Sequence, residues 1–256
     1  MSYLVGPLTF VLLLWLGMLL LLETGRRLGL RQRERSQNAG SGFGAIEGAV
    51  FGLLALLIAF TFSGAASRFD ARRALIVEEA NDIGTAYLRL DLLPAEAQPE
   101  LRSLFRQYVD ARLSFYRNLL NTKGAEADTA RFVQLQNEIW TKSAKASQQT
   151  GTTTAGMLLL PALNAMIDIT TTREAARQTH PPIIIFGMLA VLALACSVLA
   201  GYGMAVGPRS WVHTLGFAAI LALSTYLIID LEYPRAGLIR VDAFDHFLVD
   251  VRNSMN

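Results

Sequence analysis

Residues 44–62 read GAIEGAVFGLLALLIAFTF, and the chain runs on as SGAASRFDARRALIVEEANDIGTAYLRL to residue 90. The first part carries a single charge, Glu47, and is long enough to cross a bilayer, since a helix needs about 20 mostly apolar residues to span the hydrocarbon core. The second part places Phe69, Ile76, Ala80, Ile83, Tyr87 and Leu90 at helical spacing, which predicts one buried stripe. No proline intervenes before Pro94. The stretch is therefore expected to leave the membrane as one long helix that Pro94 ends.

Working outward, three more blocks meet the same length criterion, at 4–22, 182–206 and 211–229. The last two are joined by only Gly207, Pro208, Arg209 and Ser210, which predicts a tight antiparallel hairpin. The first block has no basic residue before it and no small-residue cleavage site after it, so it reads as a span and not as a signal peptide. Mean hydropathy is +0.36, and charged residues make up 17% of the chain, below the roughly 25% usual for soluble domains. The expected fold class is an all-α membrane protein: four transmembrane helices plus a helical extramembrane domain between spans two and three. The expected division is 1–62 for the first transmembrane pair with its basic loop, 63–180 for the helical domain, 181–229 for the second transmembrane hairpin and 230–256 for a C-terminal surface segment.

Arg26, Arg27, Arg31, Arg33 and Arg35 follow the first block. Short Arg-rich loops stay in the cytoplasm, which places the N-terminus and the helical domain outside, in the periplasm. Arg68, Arg72, Arg73, Arg173 and Arg177 at the domain's edges oppose that orientation, but the rule weighs short loops more heavily than long domains. Within the domain, further helices are expected at 98–120, 128–146 and 155–177, with a polar loop at 148–154. Residues 238–251 are expected to form a surface helix after the turn-rich 230–237. The domain holds 14 cations and 13 anions, a balance that, like the net charge of +2, excludes a polyanion partner such as nucleic acid.

Catalytic machinery is not visible. His180, His213 and His246 have no metal-ligand spacing, and there is no HExxH, CxxC, Walker loop or GxSxG. Cys196 is the only cysteine, so no disulfide can form within the chain. No catalytic residue, metal or cofactor is expected, and the chain does not read as an enzyme. Gly40-Ser41-Gly42 reads as a flexible lead-in to the second span.

Three features of the quoted stretch point to function. Gly44, Gly48 and Gly52 are four apart, a small-residue stripe that lets another helix approach closely or that lines a constriction. Glu47 beside it serves either a pathway mouth or interfacial anchoring and pairing with the helix N-terminus. At 100° per residue, Glu79 falls near the face of Glu47, Ala65 and Arg72. Around a symmetry axis that face would present rings of charge; otherwise it is a solvated or ion-paired face, Arg72 and Glu79 lying two turns apart.

The stretch FTFSGAASRFDARRAL (60–75), followed by EEAN (78–81), resembles the bacterial bestrophin-like domain family and, more distantly, the bestrophin ion channels. Phe60, Ser67, Arg68, Phe69, Ala71, Arg72 and Arg73 match the pattern, with Asp70 standing where an aromatic pair would be completed. DLEYPRAGLIR (230–240) also looks like the bacterial family. The resemblance implies a homopentamer in the bacterial inner membrane whose second spans line an axial pore for permeating ions. By position it places the neck at Gly52, Leu56 and Phe60, the glycine being a departure that widens the upper neck. It also implies a cytosolic helical domain, opposite to the charge reading. The leading expectation is thus a bestrophin-like ion channel whose partners are its own copies, the lipid bilayer and permeating ions. Glu47 and Glu79 would bias it toward cations. The alternative is a non-conducting membrane-anchored scaffold or sensor whose helical domain binds a partner.

Overall fold

In the computed structural model, which describes residues 2–35, 44–149 and 153–255, every regular element among the described residues is helical. The helices are α1 (Ser2–Arg35), α2 (Gly44–Leu88), α3 (Gln98–Asn118), α4 (Thr122–Gln149), α5 (Thr153–Gln178), α6 (Ile183–Gly203), α7 (Trp211–Glu232) and α8 (His246–Ser254). Four helical stretches are long and apolar enough to cross a membrane, so the chain is a multi-pass membrane protein of the expected class. The Gly40–Gly42 lead-in and residues 150–152 of the expected polar loop lie outside the described residues.

The chain divides into two units, residues 1–69 with 180–239 and residues 70–179 with 240–256. The first contains α1, the N-terminal half of α2, α6 and α7. Leu14, Met18 and Leu22 of α1 pack with Ala193 of α6 and Ala218 and Ala222 of α7. A second cluster joins Leu54 and Ala65 of α2 to Leu189 and Cys196 of α6 and Ile228 and Leu231 of α7, with Phe51 edge-on to Phe217 at 6.1 Å.

Glycines set the α1–α6 distance. A Cβ at Gly201 would lie 2.0 Å from the Leu22 carbonyl oxygen, and one at Gly25 2.1 Å from that of Val198. Helices in lipid gain their contact from such backbone approach. Within the single chain, close helix approach is made at these glycines. Among the described residues, nothing lies within 4 Å of a Cβ built at Gly44, Gly48 or Gly52.

In the second unit, Ile83, Tyr87 and Leu90 pack on Phe105, Tyr108 and Val109 of α3, Leu135 and Ile139 of α4, and Leu159 and Leu163 of α5. Ala80, Ile83, Tyr87 and Leu90 of the predicted stripe form this buried face, whereas Phe69 is half-buried in the first unit's cluster. Helix α2 tightens into a 3-10 turn at Arg89–Leu92 ahead of Pro94, because a residue before proline is pushed out of the α region. Arg72 donates to the Ala176 and Thr179 carbonyls, which satisfies acceptors that the end of α5 leaves open.

The C-terminal segment differs from expectation. Its helix starts at His246, after a 3-10 turn at Asp242–Asp245. Residues 238 and 239 instead give their N–H groups to a side chain of α7, described below.

Candidate functional site

On α2, Gly52, Leu56 and Phe60 follow one another at four-residue steps, and in the single chain Leu56 is 52% and Phe60 68% exposed. Ala45, Ala49, Ala59 and Ser63 share their side of the helix and are exposed too. The opposite side carries the buried Leu54 and Ala65. Of the most apolar window of α2 only 6% is buried inside the chain, against 22%, 22% and 28% for the other three candidate spans. Helix α2 thus presents a bare face of small residues interrupted by Leu56 and Phe60.

Glu47 is not on that face. Five residues before Gly52, it lies about 140° round the helix, on the side of Leu54 and Ala65, and is half-buried. It stands in the first turn of α2, where a carboxylate meets the positive end of the helix dipole.

Glu79 departs from the expected exposed ring of charge more strongly. Its side chain is fully buried. Arg112 Nε donates to Oε1 at 2.6 Å, Tyr116 OH donates to Oε2 at 3.0 Å, and Arg173 Nη1 also donates to Oε2. Arg112 sits 4.5 Å from the Phe132 ring centroid and 4.9 Å from that of Tyr116, and Arg173 lies 4.1 Å over Tyr116. Burial opposes ionisation of Glu79, but the two guanidiniums outweigh it and hold the carboxyl at about 2. Burial pushes the neighbouring Tyr108 phenol up to about 12. Periodicity put Glu79 on the face of Ala65 correctly, but that face is the inward one. The partners that neutralise Glu79 lie 33 and 94 residues away, beyond the reach of any local pattern.

The stretch 230–240 folds around two more carboxylates. Asp230 accepts the Leu238 N–H at 3.0 Å and the Ile239 N–H at 2.7 Å. A Cβ at Gly237 would come within 1.9 Å of Asp230 Oδ1, so only glycine lets the turn close on its acceptor. Gly237→Ala is accordingly expected to lower the unfolding temperature of the purified protein by several degrees, whereas Gly203→Ala, with open space around it, should leave it unchanged. Glu232, buried, accepts from Arg68 Nε at 2.8 Å, and His180 Nδ1 is 3.4 Å from its other oxygen while stacking on Tyr233 at 4.9 Å. Arg68 belongs to the first stretch that carries the family resemblance and Glu232 to the second. Sequence reading singled out both stretches without pairing them.

Among the described residues, no group of three or more His, Cys, Asp or Glu side chains could hold a metal ion.

These features define a helical membrane protein whose long second helix is apolar in its first half and continues into a second helical unit. A Bestrophin-like domain model matches residues 11–243, and the chain belongs to that family. Among solved structures, one crystal structure of a bacterial Bestrophin homologue from Klebsiella pneumoniae superposes with a TM-score of 0.71 at 15% identity, over 96% of each chain. A second crystal structure of that homologue gives 0.67 at 15% identity over 92% of this chain and 98% of that one. A further structure, described as a membrane protein, gives 0.66 at 15% identity over 95% of this chain and 98% of its own. At that identity the likeness is one of fold. No curated protein matches.

Proposed function

We propose that the chain is the subunit of a pentameric ion channel of the bacterial inner membrane, with α2 lining the axis and Gly52, Leu56 and Phe60 forming the constriction. The observation that carries the reading is the bare small-residue face of α2. Lipid alone would be met as well by large apolar side chains, whereas glycine, alanine and serine suit close neighbours around an axis or a water-filled path. With no side chain at Gly52, the narrowest part falls at Leu56 and Phe60, where an apolar ring can gate by dewetting. Family membership and the fold likeness support the same reading.

Phe60→Ala is expected to widen the neck and raise ion flux through liposomes that contain the purified protein. Unchanged flux in a folded variant would remove Phe60 from the neck. Glu47→Gln is expected to leave ion preference unaltered, because Glu47 lies on the opposite side of α2; a change in the cation-to-anion ratio would return it to the pathway. A stable monomer or dimer in detergent would leave no axis and would favour the membrane-anchored scaffold.

The Arg-rich segment after the first span supports a periplasmic helical unit. A cysteine placed at the exposed Glu126, in a Cys196→Ser background, should then react with a membrane-impermeant maleimide when the outer membrane is permeabilised and the inner membrane is intact. Labelling only after the inner membrane is disrupted would put the unit in the cytosol.

A further inference from the structure

Helix α1 has 34 residues, about 51 Å of helix, against about 30 Å of hydrocarbon. Its unbroken apolar run stops at Leu22, and Glu23 is the first charged residue of the helix. That carboxylate is bonded to Arg27 at 2.9 Å and to Arg209 at 3.2 Å. Arg209 in turn lies 3.9 Å from the ring centroid of Trp211, which is 56% exposed, and exposed tryptophans gather at the membrane–water interface.

Beyond this level α1 stays helical to Arg35 and carries Arg26, Arg27, Arg31, Arg33 and Arg35 against a single further acid, Glu34. Residues 36–46 contain no acid. Arg27, Arg31 and Arg35 form one line along the helix and are all exposed. Among the described residues no carboxylate is bonded to Arg26, Arg31, Arg33 or Arg35. Among the described residues the Nε of Arg26 is closed off from solvent and has no acceptor. The stub is also held in place. Gly25 and Gly29 bring it against the backbone of α6 at Val198 and Tyr202, so the arginines project from a fixed helix.

We infer that the end of α1 is a binding surface for the headgroups of anionic phospholipids, with Arg26 and Arg31 contacting lipid phosphate and Arg33 and Arg35 adding attraction from just outside. Arg26 lies about 4.5 Å and Arg31 about 12 Å above Glu23 along the helix axis. The headgroup layer is about 5–7 Å thick on each side, and a long arginine side chain reaches back over the remainder. Arg33 and Arg35 stand about 15–18 Å up and, with their side chains turned down, come within a Debye length of about 8 Å of the charged surface. Guanidinium is suited to phosphate because its fork of N–H donors matches two oxygens at once. The inference does not depend on conduction, and it holds whichever leaflet receives this end of α1.

The test is a titration of the purified protein in neutral detergent with phosphatidylglycerol, phosphatidylcholine or inorganic phosphate. Bound lipid is read by native mass spectrometry and the unfolding temperature by tryptophan fluorescence. Phosphatidylglycerol is expected to bind and raise the unfolding temperature, phosphatidylcholine to do neither, and Arg26→Gln/Arg31→Gln to weaken phosphatidylglycerol binding by about tenfold or more. Arg33→Gln/Arg35→Gln should weaken it less, and that pair serves as the test if the first does not fold. Equal binding of the two lipids, or undiminished binding by both variants, would overturn the proposal. So would an equal rise with inorganic phosphate, which would assign the surface to a free anion.

Discussion

Glu79→Gln is expected to cost the helical unit about 3–5 kcal/mol, the range for removing one partner of a buried ion cluster. Glutamine keeps the shape of the side chain but not the charge. Arg112, almost fully buried, and Arg173 would then face each other across a neutral amide with no carboxylate among their bonded partners at the site. The desolvation of two guanidiniums, now offset by Glu79, would stand unopposed. Unfolding in detergent followed by near-ultraviolet circular dichroism should show the loss. Because the damage lies in the stranded arginines, replacing Arg112 by methionine together with Glu79→Gln should recover part of it. A single variant as stable as wild type would mean that the cluster is not closed to water.

The same cluster sets a pH dependence. The Glu79 carboxyl lies at about 2 in the folded chain against 4.5 ordinarily, so it is depressed by folding. A depressed carboxyl stabilises the fold above its unfolded value and loses that contribution as pH falls through its folded value. The helical unit should therefore lose stability between about pH 4.5 and pH 2, and Glu79→Gln should flatten that part of the profile.

The second large effect is expected in the membrane. Gly201→Ala places a Cβ 2.0 Å from the Leu22 carbonyl oxygen. Backbone cannot rotate aside as a side-chain tip can, so α1 and α6 must separate along their whole contact. Overpacking of this kind costs about 1–3 kcal/mol and at times more, and the upper end applies because two rigid helices must move. Gly25→Ala meets the Val198 carbonyl oxygen at 2.1 Å and should behave alike. Gly203→Ala is the control, since Gly203 closes α6 in helical conformation and no described residue lies within 4 Å of a Cβ built there. Unfolding temperatures and monodispersity in detergent distinguish the three. A Gly201→Ala protein as stable as the Gly203→Ala control would contradict the close α1–α6 contact.

The fold class and the length of α2 were legible because they depend on local facts: apolar runs of bilayer length, helical spacing from Phe69 to Leu90, and the first breaker at Pro94. The start of α8 was not, because 238–251 is periodic throughout. Its first residues are diverted to the Asp230 carboxylate, whose approach depends on the missing Cβ of Gly237. The helix wheel grouped Glu47, Ala65, Arg72 and Glu79 on one side of α2, but it could not say which side faces inward. That is decided by Arg112, Arg173 and the α6–α7 packing, all distant in sequence. The glycines that permit contact within the chain, Gly25, Gly29 and Gly201, look no different in sequence from Gly44, Gly48 and Gly52, which no described residue approaches.

The central claim, that Leu56 borders a conducting axis, is tested most directly by Leu56→Cys in a Cys196→Ser background. Ion flux through liposomes would be recorded before and after a water-soluble methanethiosulfonate reagent is added. Modification at 56 is expected to block flux, while the same reagent is expected to leave flux intact for Ile184→Cys on the exposed side of α6. Flux that persists at the wild-type rate after position 56 is shown by mass to be fully modified would place the path elsewhere and contradict the account.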